Sequence, residues 1–191
     1  MHDSTEWIEV LVYSPCGSML AAGSHDNNIY VYNVDEDYEK KCTLRAHNSY
    51  ITSVDWSQDS SVIRSVCGAY ELLFFDVESG TQDTGGASAT VDTQWATSTA
   101  KFGWLVDGIF PGATDGTHVN GVNISDDQTL VVTADDFGLV NVYRNPARKG
   151  HTPKSYRAHS EHVVRAKFVD GTDKIVSIGG YDKTVMVWSK Q

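Results

Sequence analysis

The chain has 191 residues, of which 40% are hydrophobic and 21% are charged, and its formal net charge is −10. This composition is typical of a globular domain with a substantial core, and its acidity argues against non-specific binding to nucleic acid or to an anionic membrane. No apolar run approaches the ~18–20 residues of a membrane-spanning helix, and residues 1–6 lack the basic and apolar regions of a signal peptide.

The chain contains three cysteines, Cys16, Cys42 and Cys67, and no CxxC pair. An odd number of cysteines without such a pair predicts reduced thiols in a cytoplasmic protein. We therefore expect no disulfide framework, no zinc site and no cofactor.

Four similar repeats follow one another along the chain. The aromatic residues that end the third apolar run of each repeat are separated by 43, 68 and 45 residues: Tyr32, Phe75, Tyr143 and Trp188. Two spacings match the ~40–45 residues of a propeller blade, and the middle one includes an insertion. The sequence therefore predicts an all-β, WD-type β-propeller of about four blades, at 5–46, 47–96, 114–158 and 159–191, with the insertion at 78–113.

Short apolar runs between polar turns predict the strands. First strands are expected at Ile8–Tyr13, Ile51–Trp56, Val119–Ile124 and Val163–Phe168. Second strands are expected at Met19–Gly23, Val62–Cys67, Leu130–Thr133 and Lys174–Ile178, and third strands at Ile29–Tyr32, Leu72–Phe75, Val140–Tyr143 and Val185–Trp188. Outermost strands are expected at Cys42–Arg45, about Asp92–Ala96, and Lys154–Arg157. We expect the first, second and third strands to be buried on both faces, and we expect no helix.

The last repeat has the residue spacing of the structural tetrad of a WD-type blade: His159, Ser177, Asp182 and Trp188. An indole N–H can donate to the hydroxyl, the hydroxyl can bond to the imidazole, and the imidazole to the carboxylate. Each polar group then has a partner although it is buried. The tetrad is therefore interpreted as structural.

The other repeats depart from this pattern. Asp26 keeps the acid in the first repeat. The second repeat has His47, with Ser65 interpreted as one position out of register and Ala69 at the acid position. In the third repeat Phe137 takes the acid position. We expect these three blades to depend more on apolar packing.

The fourth repeat shows no outermost strand, and the first repeat begins with its innermost strand. A WD-type ring of about seven blades needs roughly 300 residues. We therefore expect the chain to be part of a larger propeller, with the remaining blades or a second chain at its open ends. Two paired half-rings and a compact four-bladed ring are the alternatives.

Several motifs resemble the C-terminal propeller of the echinoderm microtubule-associated protein-like family, over nearly the whole chain. They include Gly23-Ser24-His25-Asp26-Asn27, Trp95-Ala96-Thr97, Phe102-Gly103-Trp104, Gly108-Ile109-Phe110-Pro111, Asp135-Asp136-Phe137-Gly138 and Ala158-His159-Ser160. The resemblance implies a non-catalytic protein that binds tubulin, microtubules or an axonemal assembly, in the cytoplasmic cytoskeleton or a cilium. A WD-repeat adaptor of an unrelated complex is the alternative.

The insertion provides the candidate partner-binding residues Trp95, Phe102, Trp104 and Phe110. Long loops in compact domains are usually functional or disordered, and aromatic residues with few charges are typical of protein-binding patches. The alternative is that these aromatic side chains pack on the neighbouring blade.

Other possible sites have simpler explanations. Asp115 and the pair Asp135-Asp136 suggest a calcium site, but no EF-hand spacing is present and turn formation is the favoured reading. Three further histidines lack metal-ligand spacing: His118, His151 and His162. Ser177, His159 and Asp182 match a hydrolase triad in type only, because no nucleophile elbow surrounds the serine, so we expect no enzyme.

Overall fold

The computed structural model describes residues 2–110, 112 and 114–189. Positions 111 and 113 of the predicted insertion, and positions 190 and 191 of the predicted fourth repeat, lie outside the described residues. The chain divides into two compact units, Met1–Ala100 and Lys101–Gln191. Four antiparallel sheets, one for each repeat, make up the regular structure of the described residues, which confirms the all-β prediction.

The first unit contains two four-stranded sheets. The first sheet consists, in spatial order, of β1 (Ile8–Tyr13), β2 (Met19–Ser24), β3 (Asn28–Asn33) and β4 (Glu39–Arg45). The second consists of β5 (Ile51–Trp56), β6 (Val62–Cys67), β7 (Leu72–Asp76) and β8 (Thr81–Gln82). A 3₁₀ helix at Val34–Glu36 precedes β4, and one helical turn, α1 (Gly86–Ala89), follows β8.

The second unit contains a four-stranded and a three-stranded sheet. The third repeat forms β9 (Val119–Ile124), β10 (Leu130–Asp135), β11 (Leu139–Arg144) and β12 (Lys154–Arg157). The fourth repeat forms β13 (Val163–Phe168), β14 (Lys174–Gly179) and β15 (Val185–Ser189). The described residues between 101 and 118 form turns and bends.

In the first unit the two sheets pack face to face around a shared apolar core. Its buried residues come from both repeats: Ala21, Ile29, Val31, Leu44, Ile51, Val54, Trp56, Ile63, Cys67, Phe75 and Val77. The sheets approach closely at Gly23, where an added Cβ would lie 2.6 Å from the Ile51 side chain. Removing this apolar surface from water is the main favourable contribution to folding.

The second unit has two apolar clusters. One joins the sheets of the third and fourth repeats: Val132, Ala134, Val140, Val163 and Ala166. The other packs the loop before β9 against the third repeat: Val106, Ile109, Val119, Val122, Ile124, Val131, Tyr143 and Ala147. Part of the predicted insertion is therefore core.

Two strands expose large apolar side chains on one face. Leu11 and Tyr13 of β1 are 64% and 53% exposed, and Val185 and Val187 of β15 are 68% and 63% exposed. The expectation of burial on both faces is therefore wrong for these two strands, and also for β13 and β14, where Val164 and Ile178 are 37% and 39% exposed. Trp188, which is also on β15, is only partly buried.

Two predictions for the second repeat are wrong. Its outermost strand is β8, not Asp92–Ala96, because a tight turn at Gly80, with φ +67°, returns the chain directly after β7. Trp95 instead forms a single bridge with Ser57. The expectation of no helix misses α1, where small residues allow one turn to pack against Phe74.

No helix among the described residues is both long enough and apolar enough to cross a membrane.

The burial difference between two tryptophans generates a stability prediction. Trp56 is fully buried, and its Nε1 donates a hydrogen bond to the Val12 carbonyl oxygen at 3.1 Å. We expect Trp56→Ala to lower the free energy of unfolding by ~3–5 kcal/mol, because both the buried ring and this bond are lost. Trp188→Ala is the control and should cost less, because that ring is only partly buried. Urea denaturation measures both, and equal losses would contradict the packing described here.

Candidate functional site

The four tetrad residues of the last repeat lie within hydrogen-bond distance of one another. His159 Nε2 lies 2.7 Å from Ser177 Oγ, and Trp188 Nε1 donates to the same oxygen at 2.8 Å. His159 Nδ1 lies 3.0 Å from Asp182 Oδ2. Ser177 is fully buried on β14. A hydroxyl held in this way has no access to a substrate, so the arrangement links strands and loop but offers no nucleophile.

The second repeat contains a related network that we predicted only in part. His47 Nε2 lies 2.7 Å from Ser65 Oγ, and both residues are buried. The interpretation of Ser65 as out of register is wrong, because its spacing from His47, 18 residues, equals the spacing of the His–Ser pair in the fourth repeat. The acid is Glu71, whose Oε2 lies 3.5 Å from His47 Nδ1.

Glu71 was not predicted, because it lies one residue farther from His47 than Asp182 lies from His159 in the last repeat. Hydrogen bonds from the Asn48 backbone N–H and side-chain amide lower the pKa of Glu71 to about 2. Its carboxylate is therefore ionised at neutral pH. A glutamate reaches the histidine from one position later because its side chain is one methylene longer than that of aspartate.

Asp26 of the first repeat organises the turn before β3. Burial raises the pKa of this carboxyl, but hydrogen bonds from the Tyr30 hydroxyl and from the backbone N–H groups of Thr5 and Asn28 outweigh that effect and lower it to about 2. Asp26 is thus an ionised acceptor that joins the N-terminal segment to this turn.

The acids considered for calcium each bond within or next to their own turn. Asp135 accepts hydrogen bonds from the backbone N–H groups of Phe137 and Leu139, both at 2.9 Å. Asp136 accepts one from the Asn120 amide at 2.8 Å. The third acid, Asp115, accepts bonds from the backbone and hydroxyl of Thr117. These contacts are those of turn-forming aspartates.

The three loop histidines are occupied by ordinary contacts. His118 stacks on Phe137 with ring centroids 5.4 Å apart, and His162 meets the ring of Tyr181 edge-on at the same distance. His151 accepts a backbone hydrogen bond through Nδ1.

Trp95, the first of the candidate partner-binding residues, is only 8% exposed. Its ring packs against Phe74, with centroids 6.2 Å apart, and lies 4.2 Å from the guanidinium carbon of Arg64. This aromatic side chain therefore belongs to the interior of the first unit.

The other three candidates lie in the loop at the start of the second unit. Phe102 and Phe110 stack on each other with centroids 5.8 Å apart, and Phe110 also packs against the apolar cluster of the third repeat. Trp104 is 59% exposed, and its carbonyl oxygen accepts a hydrogen bond from the Arg148 guanidinium. Trp104 is thus the candidate most available to a partner.

A buried ion pair that we did not predict anchors the chain at residues 97–100. Asp55 on β5 faces Arg64 on β6, and Arg64 Nε donates to Asp55 Oδ2 at 3.1 Å. Asp55 also accepts hydrogen bonds from Thr97, Thr99 and the Ala100 backbone N–H. The sequence feature that could have predicted this ion pair is two opposite charges at facing positions of one hairpin, because such cross-strand pairs attract each other.

The family model for the echinoderm microtubule-associated protein second beta-propeller matches residues 1–190. The chain belongs to this family. The resemblance drawn from the sequence motifs is therefore confirmed.

Several curated proteins are similar over almost the whole chain. The ciliary WD repeat-containing protein ctxp80 of Euplotoides octocarinatus is 64% identical, with 99% of this chain and 26% of that protein covered. Echinoderm microtubule-associated protein-like 4 of Xenopus tropicalis is 40% identical, with 97% and 20% covered. The 77 kDa echinoderm microtubule-associated protein of Lytechinus variegatus is 40% identical, with 98% and 29% covered. The chain thus spans less than a third of the length of these relatives.

Solved structures show the same arrangement of strands. The C-terminal WD40 domain of Sif2 matches with a TM-score of 0.69 at 20% identity, covering 99% of this chain and 56% of that one. U3-55K matches with a TM-score of 0.58 at 18% identity, covering 99% and 50%. These likenesses show the fold alone, and they confirm the WD-type propeller.

The buried ion pair generates a second prediction. Asp55→Ala would leave the Arg64 guanidinium buried without its carboxylate, so we expect a loss of ~3–5 kcal/mol in the free energy of unfolding. Hydrogen exchange should also become faster at Thr99 and Ala100, whose N–H groups lose their acceptor. Asp59→Ala, which removes an exposed turn carboxylate of the same sheet, is the matched control. Similar losses for the two variants would show that the pair is not special.

Asp26 generates a prediction about pH. Its pKa is about 2 in the folded protein, against an ordinary value of 3.8 for an aspartate carboxyl. Ionised Asp26 therefore stabilises the folded protein fully above about pH 4. This contribution to the free energy of unfolding is lost as the pH falls towards 2, because the carboxylate is protonated at a lower pH in the folded protein than in the unfolded chain. The difference in unfolding free energy between the wild type and Asp26→Asn should be largest near pH 5 and should shrink towards pH 2. A difference independent of pH would contradict the lowered pKa.

Proposed function

We propose that this chain is a non-catalytic, protein-binding propeller module that contacts tubulin, microtubules or an axonemal assembly. Membership of the echinoderm microtubule-associated protein family is the observation that carries the proposal. The name of the ciliary relative, at 64% identity, supports a place in the cilium or elsewhere in the cytoskeleton. The buried Ser177 supports the absence of catalysis, because its hydroxyl is engaged by Trp188 and His159.

The distribution of charge favours the second unit as the contact with an acidic microtubule surface. Met1–Ala100 holds 4 of the 15 basic and 15 of the 25 acidic residues, a formal charge of −11. Lys101–Gln191 holds the other 11 basic and 10 acidic residues, a formal charge of +1. An acidic surface repels the first unit more than the second, so electrostatic steering would bring the second unit to the lattice.

Within the second unit, Trp104 is the proposed contact residue. Its exposed ring lies in the same loop as the stacked pair Phe102 and Phe110, which hold the loop against the third repeat. Arg148 bonds to the Trp104 backbone. Tryptophan and arginine are enriched among the residues that contribute most to protein–protein binding.

The exposed sheet faces are the proposed sites for the remaining propeller blades or for a second chain. Leu11 and Tyr13 on β1, and Val185 and Val187 on β15, are side chains of the kind that neighbouring blades cover. Among the described strands β15 pairs only with β14, so its other edge can accept a further strand.

The alternative function is that of a WD-repeat adaptor in an unrelated multiprotein complex. The WD40 fold alone is compatible with it, since folds of this kind serve many partners. The two functions differ in one observable property, which is direct binding to microtubules.

Co-sedimentation with stabilised microtubules tests the proposed function and the proposed contact together. We expect the wild-type chain to pellet with microtubules at moderate salt and less at low salt, because salt screens the repulsion between the acidic lattice and a chain with a net charge of −10. Trp104→Ala should weaken binding by roughly tenfold, the typical loss for a central aromatic contact.

Tyr181→Ala is the matched control, because this residue is also an exposed aromatic of the second unit, at 83%. It should pellet like the wild type, and circular dichroism should show that both variants are folded. Unchanged pelleting of Trp104→Ala would overturn the contact. No pelleting of the wild type at any salt concentration would favour the adaptor.

A further inference from the structure

Three potential metal ligands converge at one corner of the second repeat. Ligand atoms of His47, Cys67 and Glu71 all lie within 4.8 Å of one another, and no other such group of three occurs among the described residues. Glu71 Oε2 lies 3.5 Å from His47 Nδ1 and 3.2 Å from Cys67 Sγ. The three side chains come from the loop before β5, the end of β6 and the turn just before β7, so the corner is built by tertiary structure.

The imidazole of His47 offers a nitrogen without a hydrogen bond. Its side chain is only 1% exposed, and Nε2 is bonded to Ser65. The nearest acceptor to the buried Nδ1 is Glu71 Oε2 at 3.5 Å, which is longer than a normal hydrogen bond. Buried polar atoms in native proteins are nearly always satisfied. Nδ1 points to the side where Cys67 and Glu71 lie, so a ligand placed among the three would satisfy it.

The fourth repeat provides a natural comparison, because the same framework there has no thiol. Gly179 follows His159 by 20 residues, the spacing of Cys67 from His47. An added Cβ on Gly179 would lie 1.9 Å from Asp182 Oδ1 and 2.6 Å from His159 Nδ1. A side chain at this position thus points between imidazole and carboxylate.

The second and fourth repeats also differ in the hydrogen bonds that the histidine Nδ1 makes. His159 Nδ1 has two partners, Asp182 Oδ2 and Thr184 Oγ1, each at 3.0 Å. In the second repeat the carboxylate stands farther from the imidazole, and the thiol of Cys67 lies beside it. Compared with the fourth repeat, the second repeat has a thiol beside the imidazole and the carboxylate, and its histidine Nδ1 makes no hydrogen bond. Both differences favour a metal ligand set.

The donor set indicates which cation fits. One imidazole nitrogen, one sulfur and one carboxylate oxygen suit Zn²⁺, which binds such ligands tetrahedrally at ~2.0–2.3 Å. Tetrahedral ligands at those bond lengths lie about 3.3–3.6 Å apart. The two pairs that include Glu71 Oε2 are close to this, at 3.2 and 3.5 Å, and His47 Nδ1 and Cys67 Sγ lie within 4.8 Å of each other. We propose that His47 Nδ1, Cys67 Sγ and a Glu71 carboxylate oxygen bind one Zn²⁺, with solvent as the fourth ligand.

The surroundings of the three ligands support this assignment. His47 Nε2 can donate its proton to Ser65 Oγ, which orients the ring and leaves the lone pair of Nδ1 for the metal. The Asn48 backbone N–H holds the carboxylate of Glu71 at 3.0 Å. The Glu71 side chain is 29% exposed, so the cation can enter from solvent. The thiol of Cys67 gives up its proton to water when the cation binds.

Metal titration of the reduced, tag-free chain tests the proposal. We expect the wild type to bind one equivalent of Zn²⁺ in calorimetry and one equivalent of Co²⁺ with a thiolate-to-metal charge-transfer band in the near ultraviolet. Cys67→Ala should lose that band and weaken binding by at least about tenfold, as expected when a ligand is removed. Glu71→Gln should also weaken binding but keep the band, because the thiolate remains.

Cys42→Ala is the matched control, because Cys42 is a free thiol of the same unit outside the corner. It should keep both the stoichiometry and the charge-transfer band. Circular dichroism should establish that each variant is folded, and Cys67→Ser replaces Cys67→Ala if the latter unfolds. Absence of saturable one-equivalent binding in the wild type, or a charge-transfer band that survives the loss of Cys67, would overturn the proposal.

Discussion

Polar side chains enclosed between packed sheets nearly always need hydrogen-bond partners there, and this requirement shapes both units. The cost of leaving a buried donor or acceptor unsatisfied, ~1–3 kcal/mol, is a large fraction of the stability of a domain. In the fourth repeat the requirement is met by the linked groups of His159, Ser177 and Asp182. In the first unit Asp55 accepts a hydrogen bond from the buried Arg64, and it also anchors the chain that leaves the second repeat. Satisfying buried groups thus determines where loops are attached to the blades.

Strand positions were predictable from the sequence because strand periodicity and turn chemistry are local properties. The four innermost strands, β1, β5, β9 and β13, have the predicted bounds, and β6 and β12 do as well. The tetrad spacing was also visible, since it depends on strands of nearly constant length. The outermost strand of the second repeat was not, because Gly80 turns the chain earlier than the repeat pattern suggests.

Side-chain convergence was much harder to predict, because it depends on which sheet faces meet. Trp95 was expected among binding residues, yet it packs beside Phe74 and Arg64. The spacing of Cys67 from His47 resembles no common zinc motif, and the corner becomes visible only when the two residues are brought together in space. Exposure of Trp104 likewise follows from the path of its loop. Aromatic residues of one sequence segment therefore include both core residues, such as Trp95, and candidate contact residues, such as Trp104.

The most direct test of the proposed microtubule contact is zero-length cross-linking of lysines to carboxylates on polymerised microtubules, followed by mass spectrometry. The proposed function predicts cross-links between tubulin and exposed lysines of the second unit, such as Lys149, Lys154 and Lys183. Lys40 and Lys41, which lie in the acidic first unit, should react little. Cross-links confined to the first unit, or none to tubulin at saturating concentration, would contradict a microtubule-binding module that contacts the lattice through residues 101–191.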